Sequence, residues 1–508
     1  MTSDPLLAGL DVGTTNIKAL IFTPDGQPVA QASLPTPVHS PQPGWAYYEP
    51  EELWQTTAAA LRQATAQVDA RRIVSVAVAS MGEAGVPLDS ANQPPYPAIA
   101  WFDARTQPQA AWLEQTIGKD PLFAITGLSL LPIFGLCKLL WLKQNEPDIF
   151  ARTVRWLNIA DYIAFRLSGQ QATDYSLASR TLALDIARRQ WSPDILAQAG
   201  ISVGLYAPLC PSGTPLGAVT PEATAATGLP ETAQVAAGGH DHVCGALAAG
   251  VTQPGVALNS LGTSETVFVS LEKPLADPNL GRQGYTQGAH VVAGLYYVFG
   301  ALYTAGACVE WFRSALADSR DYAGLIADAE AVPPGSDGLC FLPQFQLASP
   351  PYDDPLARGA FIGLSTDTSR AAMFRAVLEG TAYDSRLMLE SLLAYEGVPE
   401  LQAIHAIGGA TRNTLWMQIK ASILNRALDV TQVSEAASLG AAILGGLSVG
   451  VYPDVAAARA SLRRETTRVE PAAGQVGHYD AIYQQVYKAL YPALRPFHQT
   501  LQQIKESV

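Results

Sequence analysis

The sequence is poor in cysteine, in positive charge and in long apolar runs, and each shortage closes off a class of function. Five cysteines (Cys137, Cys210, Cys244, Cys308 and Cys340) are scattered over 508 residues with no Cys-x-x-Cys pair. Zinc-ribbon spacing is therefore absent, and an odd, dispersed set reads as free thiols in a reducing compartment, so a cytoplasmic location is expected. Lys and Arg number 32 against 45 Asp and Glu, a net charge of −13. A surface of that sign repels phosphate backbones and anionic lipid, which excludes nucleic acid and membrane as expected partners. The most lipid-like runs are Leu130 to Leu142, interrupted by Lys138, and the Gly-rich Leu439 to Tyr452. Both are too short to span a bilayer. Met1-Thr2-Ser3-Asp4-Pro5 lacks the basic segment of a secretory leader, and Asp11 breaks the apolar stretch behind it, so no leader is expected. No Gly-x-x-x-x-Gly-Lys-Ser/Thr occurs, so a P-loop is not the route to any phosphate chemistry here.

What is present is apolar: 48% hydrophobic residues against 15% charged. That balance predicts well-buried α/β domains, and the length calls for two of them. Two segments share a design. Leu6 to Val12 runs into Gly13-Thr14-Thr15 and returns as Ile17 to Phe22, and Val256 to Leu261 runs into Gly262-Thr263-Ser264 and returns as Thr266 to Val269. Each reads as a β-hairpin, and their separation of about half the chain predicts duplicated domains. The expected division is 1–250 and 251–508, at the loop-like Gly250 to Pro254. Helices are predicted at Glu51 to Val68, Leu139 to Gln144, Ala160 to Leu167, Ala371 to Glu390 and Thr414 to Leu424. Strands are predicted at Ile73 to Ala79 and Leu401 to Ile407. Ser438 to Leu447 is rich in Gly and Ala, which predicts a helix packed tightly on a neighbouring backbone.

Phosphate binding needs backbone N–H donors in a tight turn, small hydroxyls and a carboxylate for a metal. Asp11-Val12-Gly13-Thr14-Thr15 supplies these, with Lys18 on the return strand, and Gly262-Thr263 repeats the arrangement in the second half. Ala236-Ala237-Gly238-Gly239-His240-Asp241-His242 is a strand ending in Gly-Gly and an acid, which places a carboxylate on a close-packed edge. Phosphoryl transfer asks such a group to orient an attacking hydroxyl and take its proton late. The rival reading of that stretch is a metal site, with His240 and His242 on one face of a strand.

Together with Gly408-Gly409-Ala410-Thr411-Arg412-Asn413, Trp101-Phe102-Asp103-Ala104-Arg105, Thr173-Asp174-Tyr175-Ser176 and Glu435-Ala436-Ala437-Ser438-Leu439-Gly440, these motifs resemble the FGGY family of carbohydrate kinases. The resemblance runs from Leu6 to about Gly450. It implies an α/β chain of two actin-like, ribonuclease-H-like domains flanking a deep ATP and substrate cleft. It also implies an enzyme that phosphorylates a hydroxyl of a small ketose, such as a pentulose, or of a sugar alcohol. By the same resemblance Asp241 is the general base, Asp11 holds Mg²⁺, and Thr14, Thr15, Lys18, Gly262 and Thr263 face the phosphates of ATP. Gly306, Gly409 and Asn413 border the nucleotide.

The acceptor side departs from the family's commoner patterns. Some members carry His where Glu83 stands, and others an Arg-Glu pair; here Gly82 precedes Glu83. A carboxylate at Glu83 can bridge vicinal hydroxyls, with Trp101 as an apolar wall, Asp103 at the rim and His242 beside the base. Asp103 alternatively pairs with Arg105, and Asn413 doubles as a helix cap. The competing class is a nucleotide-driven conformational ATPase of the actin-like fold, which needs no sugar acceptor. A homodimer is compatible with the sequence.

Overall fold

The computed structural model describes residues 4–433 and 435–506. Met1 to Ser3, where no leader is expected and the first domain begins, lie outside the described residues. Two sheets organise the chain. The first is built from β1 (Leu6–Val12), β2 (Asn16–Phe22), β3 (Pro28–Pro35), β4 (Ile73–Ser80), β5 (Pro215–Ala218) and β6 (Gln234–His240), in the order β5-β6-β4-β1-β2-β3. The second contains β7 (Val256–Leu261), β8 (Glu265–Leu271), β9 (Thr286–Ala289), β10 (Tyr296–Leu302), β11 (Ala403–Ile407), β12 (Leu428–Thr431) and β13 (Thr466–Val469), in the order β9-β10-β8-β7-β11-β12-β13.

The two orders share one logic. β3-β2-β1 and β10-β8-β7 are antiparallel runs, and in each sheet two further strands follow in parallel, β4 and β6 in one, β11 and β12 in the other. The half-chain repeat of the hairpins is thus a repeat of whole sheets. Seven helices pack on these sheets or frame the cleft residues: α1 (Pro50–Thr65), α2 (Ile159–Ser168), α3 (Asp241–Ala249), α4 (Ala305–Ala315), α5 (Arg370–Leu393), α6 (Thr414–Leu424) and α7 (Ala436–Ser448).

The near-continuous apolar reading of β1 follows from burial on both faces. Alternate side chains point opposite ways: Leu6, Ala8 and Leu10 pack with Leu53 and Leu61 of α1 and Ile163 of α2, whereas Leu7 packs with Val243 and Leu247 of α3 and Leu439 and Ile443 of α7. That second cluster also takes Val256 and Leu258 of β7, Phe268 of β8 and Ile407 of β11. Helices α3 and α7 therefore form a shared layer between the two sheets. Their approach depends on missing side chains: a Cβ on Gly9 would lie 1.9 Å from the Ser438 carbonyl oxygen, and one on Gly440 would lie 2.0 Å from that of Cys244. The tight packing predicted for the Gly/Ala-rich segment is what α7 does. Among the described residues the five cysteines are free, and no helix is long and apolar enough to cross a membrane.

Candidate active site

The first hairpin turns at Gly13-Thr14-Thr15. Gly13 N–H donates to the Asn16 carbonyl at 3.1 Å, and the Thr36 hydroxyl braces the tip by donating to the Gly13 carbonyl at 2.7 Å. Across the ladder Asp11 is paired with Lys18. The Asp11 Oδ1 atom is buried with no hydrogen-bond partner. Burial first, and then the charge of Asp241, push its carboxyl up to about 7. Lys18, expected at the phosphates, reaches across to the second half, where its Nζ meets Glu435 Oε2 at 2.6 Å. Thr14 accepts a hydrogen bond from Trp101 Nε1 at 2.9 Å, so the predicted apolar wall is pinned to the first hairpin. Thr15 stands exposed at the tip.

Strand β6 ends at His240 and α3 begins at Asp241, so the two histidines do not share a strand face. His240 is buried, and burial first, then the charge of Arg180, push its pKa well down, while His242 is exposed. Among the described residues no group of three His, Cys, Asp or Glu side chains could cage a metal, which removes the support for the rival reading. Asp241 is the first residue of α3, and His240 stands at its N-cap. Its Oδ1 accepts from the His242 amide at 2.6 Å and lies 3.3 Å from His240 Nε2. The side chain keeps 24% exposure, and burial raises its pKa.

Glu83 occupies a left-handed conformation, φ 65°, and is buried. Its partner was missed from the sequence: Arg180 places Nη2 at 2.5 Å and Nε at 2.6 Å from Glu83 Oε1. Gly82 leaves room for this pair, since a Cβ there would sit 3.1 Å from both Arg180 Cγ and His240 Cδ2. Glu83, Arg180, His240 and Asp241 are thus contiguous. Asp103 is not at a rim. Its side chain has no exposed surface, and Arg105 grips it with Nε at 2.9 Å and Nη2 at 2.8 Å while the Ala46 amide donates to the second oxygen as well. The ion-pair alternative is the one the fold adopts.

On the other sheet, Gly262, Thr263, Gly306, Gly409 and Asn413 line one cavity of about 750 Å³, closed by Ile326, Tyr322 and Trp416. The start of α4 is stitched to the second hairpin, with Gly306 N–H donating to the Gly262 carbonyl at 3.2 Å and Ala307 N–H to that of Thr263 at 3.0 Å. Asn413 also caps α6, accepting from the Trp416 amide at 3.0 Å.

The family model "FGGY family of carbohydrate kinases, N-terminal domain" matches residues 6–248, and its C-terminal-domain counterpart matches 257–449. The chain belongs to the FGGY family. Among its relatives, a xylulose kinase of Bacillus subtilis (strain 168) is 31% identical over 477 residues, 94% of each chain. A glycerol kinase of Ectopseudomonas mendocina (strain ymp) is 30% identical, over 94% of this chain and 96% of the relative. The crystal structure of xylulose kinase from Rhodospirillum rubrum superimposes with a TM-score of 0.90 at 31% identity, covering 97% of this chain and all of that one.

This FGGY chain is therefore a carbohydrate kinase of the two-domain actin-like fold, and the family uses ATP. A conformational ATPase without an acceptor is not favoured. The residues also fit a magnesium ion. Mg²⁺ is usually held by one or two carboxylates together with substrate phosphates, and the unpartnered Oδ1 of Asp11, beside a second carboxylate, is a site short of one cation.

Proposed function

We propose that the protein transfers the γ-phosphoryl group of ATP to a hydroxyl of a small ketose, such as a pentulose, or of a sugar alcohol, with Asp241 as general base. The reading rests on one observation: the Asp241 carboxylate, at the start of α3, lies close enough to Asp11 to raise its pKa and next to the Glu83–Arg180 pair. The acceptor hydroxyl attacks the γ-phosphorus, its proton passes to Asp241, and the bond to the departing ADP oxygen breaks. Positioning matters more than basicity in so loose a transition state, and a pKa raised by burial makes Asp241 a better acceptor for the late proton.

Glu83 and Trp101 bind the acceptor with His242 at the mouth, and Asp103 acts only by fixing Arg105. Thr14, Thr15, Lys18, Gly262 and Thr263 surround the phosphates, and Gly306, Gly409 and Asn413 border the base. Asp11 would hold Mg²⁺, which would offset the negative charge of the phosphates. The working unit is divided at 250/251, acts in the cytoplasm and is compatible with a homodimer. The test is acceptor-stimulated ADP release across glycerol, tetritols, pentuloses and hexuloses. Asp241→Asn is expected to lower kcat by about 10²–10⁴-fold while acceptor KM changes little. Turnover by the variant at the wild-type rate would remove Asp241 from the chemistry.

A further inference from the structure

His240 and His242 form no metal cage with a third ligand among the described residues, which leaves a buried histidine beside Asp241 in a closely built place. His240 is the last residue of β6 and is 4% exposed, and its amide donates to the Ser176 hydroxyl at 2.9 Å. The ring fills the space that Gly82 leaves open, since a Cβ there would lie 3.1 Å from His240 Cδ2 and 3.2 Å from Nε2. The same point is 3.1 Å from Arg180 Cγ, and Nε2 itself lies 3.3 Å from Asp241 Oδ1. The imidazole is therefore lodged where the Glu83–Arg180 pair meets the proposed base.

Burial, and then the charge of Arg180, push the pKa of this imidazole well down. At neutral pH the ring is uncharged, with a proton on one nitrogen and a lone pair on the other. Nδ1 is buried and has no hydrogen-bond partner among the described residues. A proton on Nδ1 would strand a buried donor and turn the Nε2 lone pair toward a carboxylate oxygen. A proton on Nε2 strands only a lone pair and points a donor at Oδ1. Oδ1 then faces two donors, Nε2–H and the His242 amide at 2.6 Å, whereas Oδ2 makes no hydrogen bond among the described residues. At 3.3 Å the imidazole contact is long, as catalytic contacts often are before substrate binds. Resting on the reading of Asp241 as general base, we infer that His240 is its positioning residue, an imidazole that donates to Oδ1 and so leaves Oδ2 turned to the acceptor hydroxyl. An uncharged donor suits the task, because an imidazolium would pair with the carboxylate and lower its proton affinity further. Gly82 belongs to the same device, as the missing side chain that seats the ring.

The experiment measures acceptor-stimulated ADP release by the full chain with MgATP, on the best acceptor among glycerol, tetritols, pentuloses and hexuloses. His240→Leu removes the donor and keeps an apolar side chain of similar size, and His240→Gln restores an N–H at about the reach of Nε2. His240→Leu is expected to lower kcat about 10–100-fold, the usual weight of a hydrogen bond to a charged group, with acceptor KM within about threefold of wild type. His240→Gln is expected to stay within about fivefold of the wild-type kcat. In the Asp241→Asn background His240→Leu should change kcat by less than about twofold, because no base is left to orient. Wild-type kcat in His240→Leu overturns the inference and leaves Asp241 as the base. A loss that Gln does not relieve, or that persists undiminished beside Asp241→Asn, also overturns it, since either marks damage to the fold. Asp241→Asn turning over at the wild-type rate removes the base reading and the inference with it. Should His240→Leu fail to fold, His240→Asn takes its place, because its amide stops about where Nδ1 stands and cannot reach Oδ1; the same losses are expected of it and the same results overturn the inference.

Discussion

Lys138 carries an ammonium group into the interior with only a backbone carbonyl, that of Ile133, as its hydrogen-bond acceptor. Burial pushes its pKa down from 10.5 to about 8, against the pull of Glu83 and Asp103. Between those two pH values the unfolded chain binds more protons than the folded one, so stability rises with pH through that window, and the penalty is fully present below it. Lys138→Met removes the titration. The stability difference, wild type minus variant, should therefore grow in favour of wild type by about 2–3 kcal/mol between pH 7 and pH 10.5, as read by urea unfolding of both proteins. A difference that stays flat would mean that Lys138 is solvated as freely as in the unfolded chain. At this scale the sequence was legible where chemistry is local: Asp11 and Lys18 on one hairpin, Asp241 after Gly238-Gly239. It was silent on Arg180, which reaches Glu83 from 97 positions away, and on the bond between Lys18 and Glu435, 417 positions apart. Both contacts are made by chain topology, to which no spacing rule applies.

Among the elements, α7 shows how absent side chains become a structural instruction. Glycine inside a helix costs about 0.5–1 kcal/mol relative to alanine, so Gly440, Gly445 and Gly446 in one helix mark a surface where something else is gained. Gly440 meets the Cys244 backbone of α3, the helix that starts at Asp241. Gly440→Ala should force the two helices apart and cost about 1–3 kcal/mol or more, seen as a lower urea midpoint. Gly477→Ala is the matched control. In the helix Ala473–Ile482 a Cβ at that position meets nothing within 4 Å, and a gain of about 0.5–1 kcal/mol is expected from propensity alone. A neutral Gly440→Ala would show that the layer between the sheets slides to accommodate a methyl group. The helices and strands with strong periodicity were read to within a few residues, Thr414 to Leu424 among them. The strand ending near Gly238-Gly239 was legible too, but the rival placement of His240 and His242 on one strand face fell, because the helix already begins at Asp241.

Taken whole, the proposed site divides its labour between the two sheets: the groups proposed for the acceptor ride on the first sheet and the segments inserted between its strands, and the cavity proposed for the nucleotide is lined by residues of the second half alone. Gly306 allows that division to be tested. It sits where α4 is bonded to the second hairpin, and a Cβ there would fall 2.3 Å from the Gly262 carbonyl oxygen, a backbone atom that cannot rotate away. Gly306→Ala must therefore widen the gap between α4 and the Gly262-Thr263 turn, on one wall of the 750 Å³ cavity. Glu83, Arg180 and Asp241 are spared, since none of them touches either element among the contacts described. KM for ATP should rise at least about tenfold, the consequence of a strain of about 1.4 kcal/mol or more at the nucleotide. The acceptor's dissociation constant, measured by calorimetry without nucleotide, should stay within about twofold of wild type. Equal losses on both sides would mean that the layer of α3 and α7 transmits the distortion from one sheet to the other, and the two halves would then have to be treated as a single binding unit.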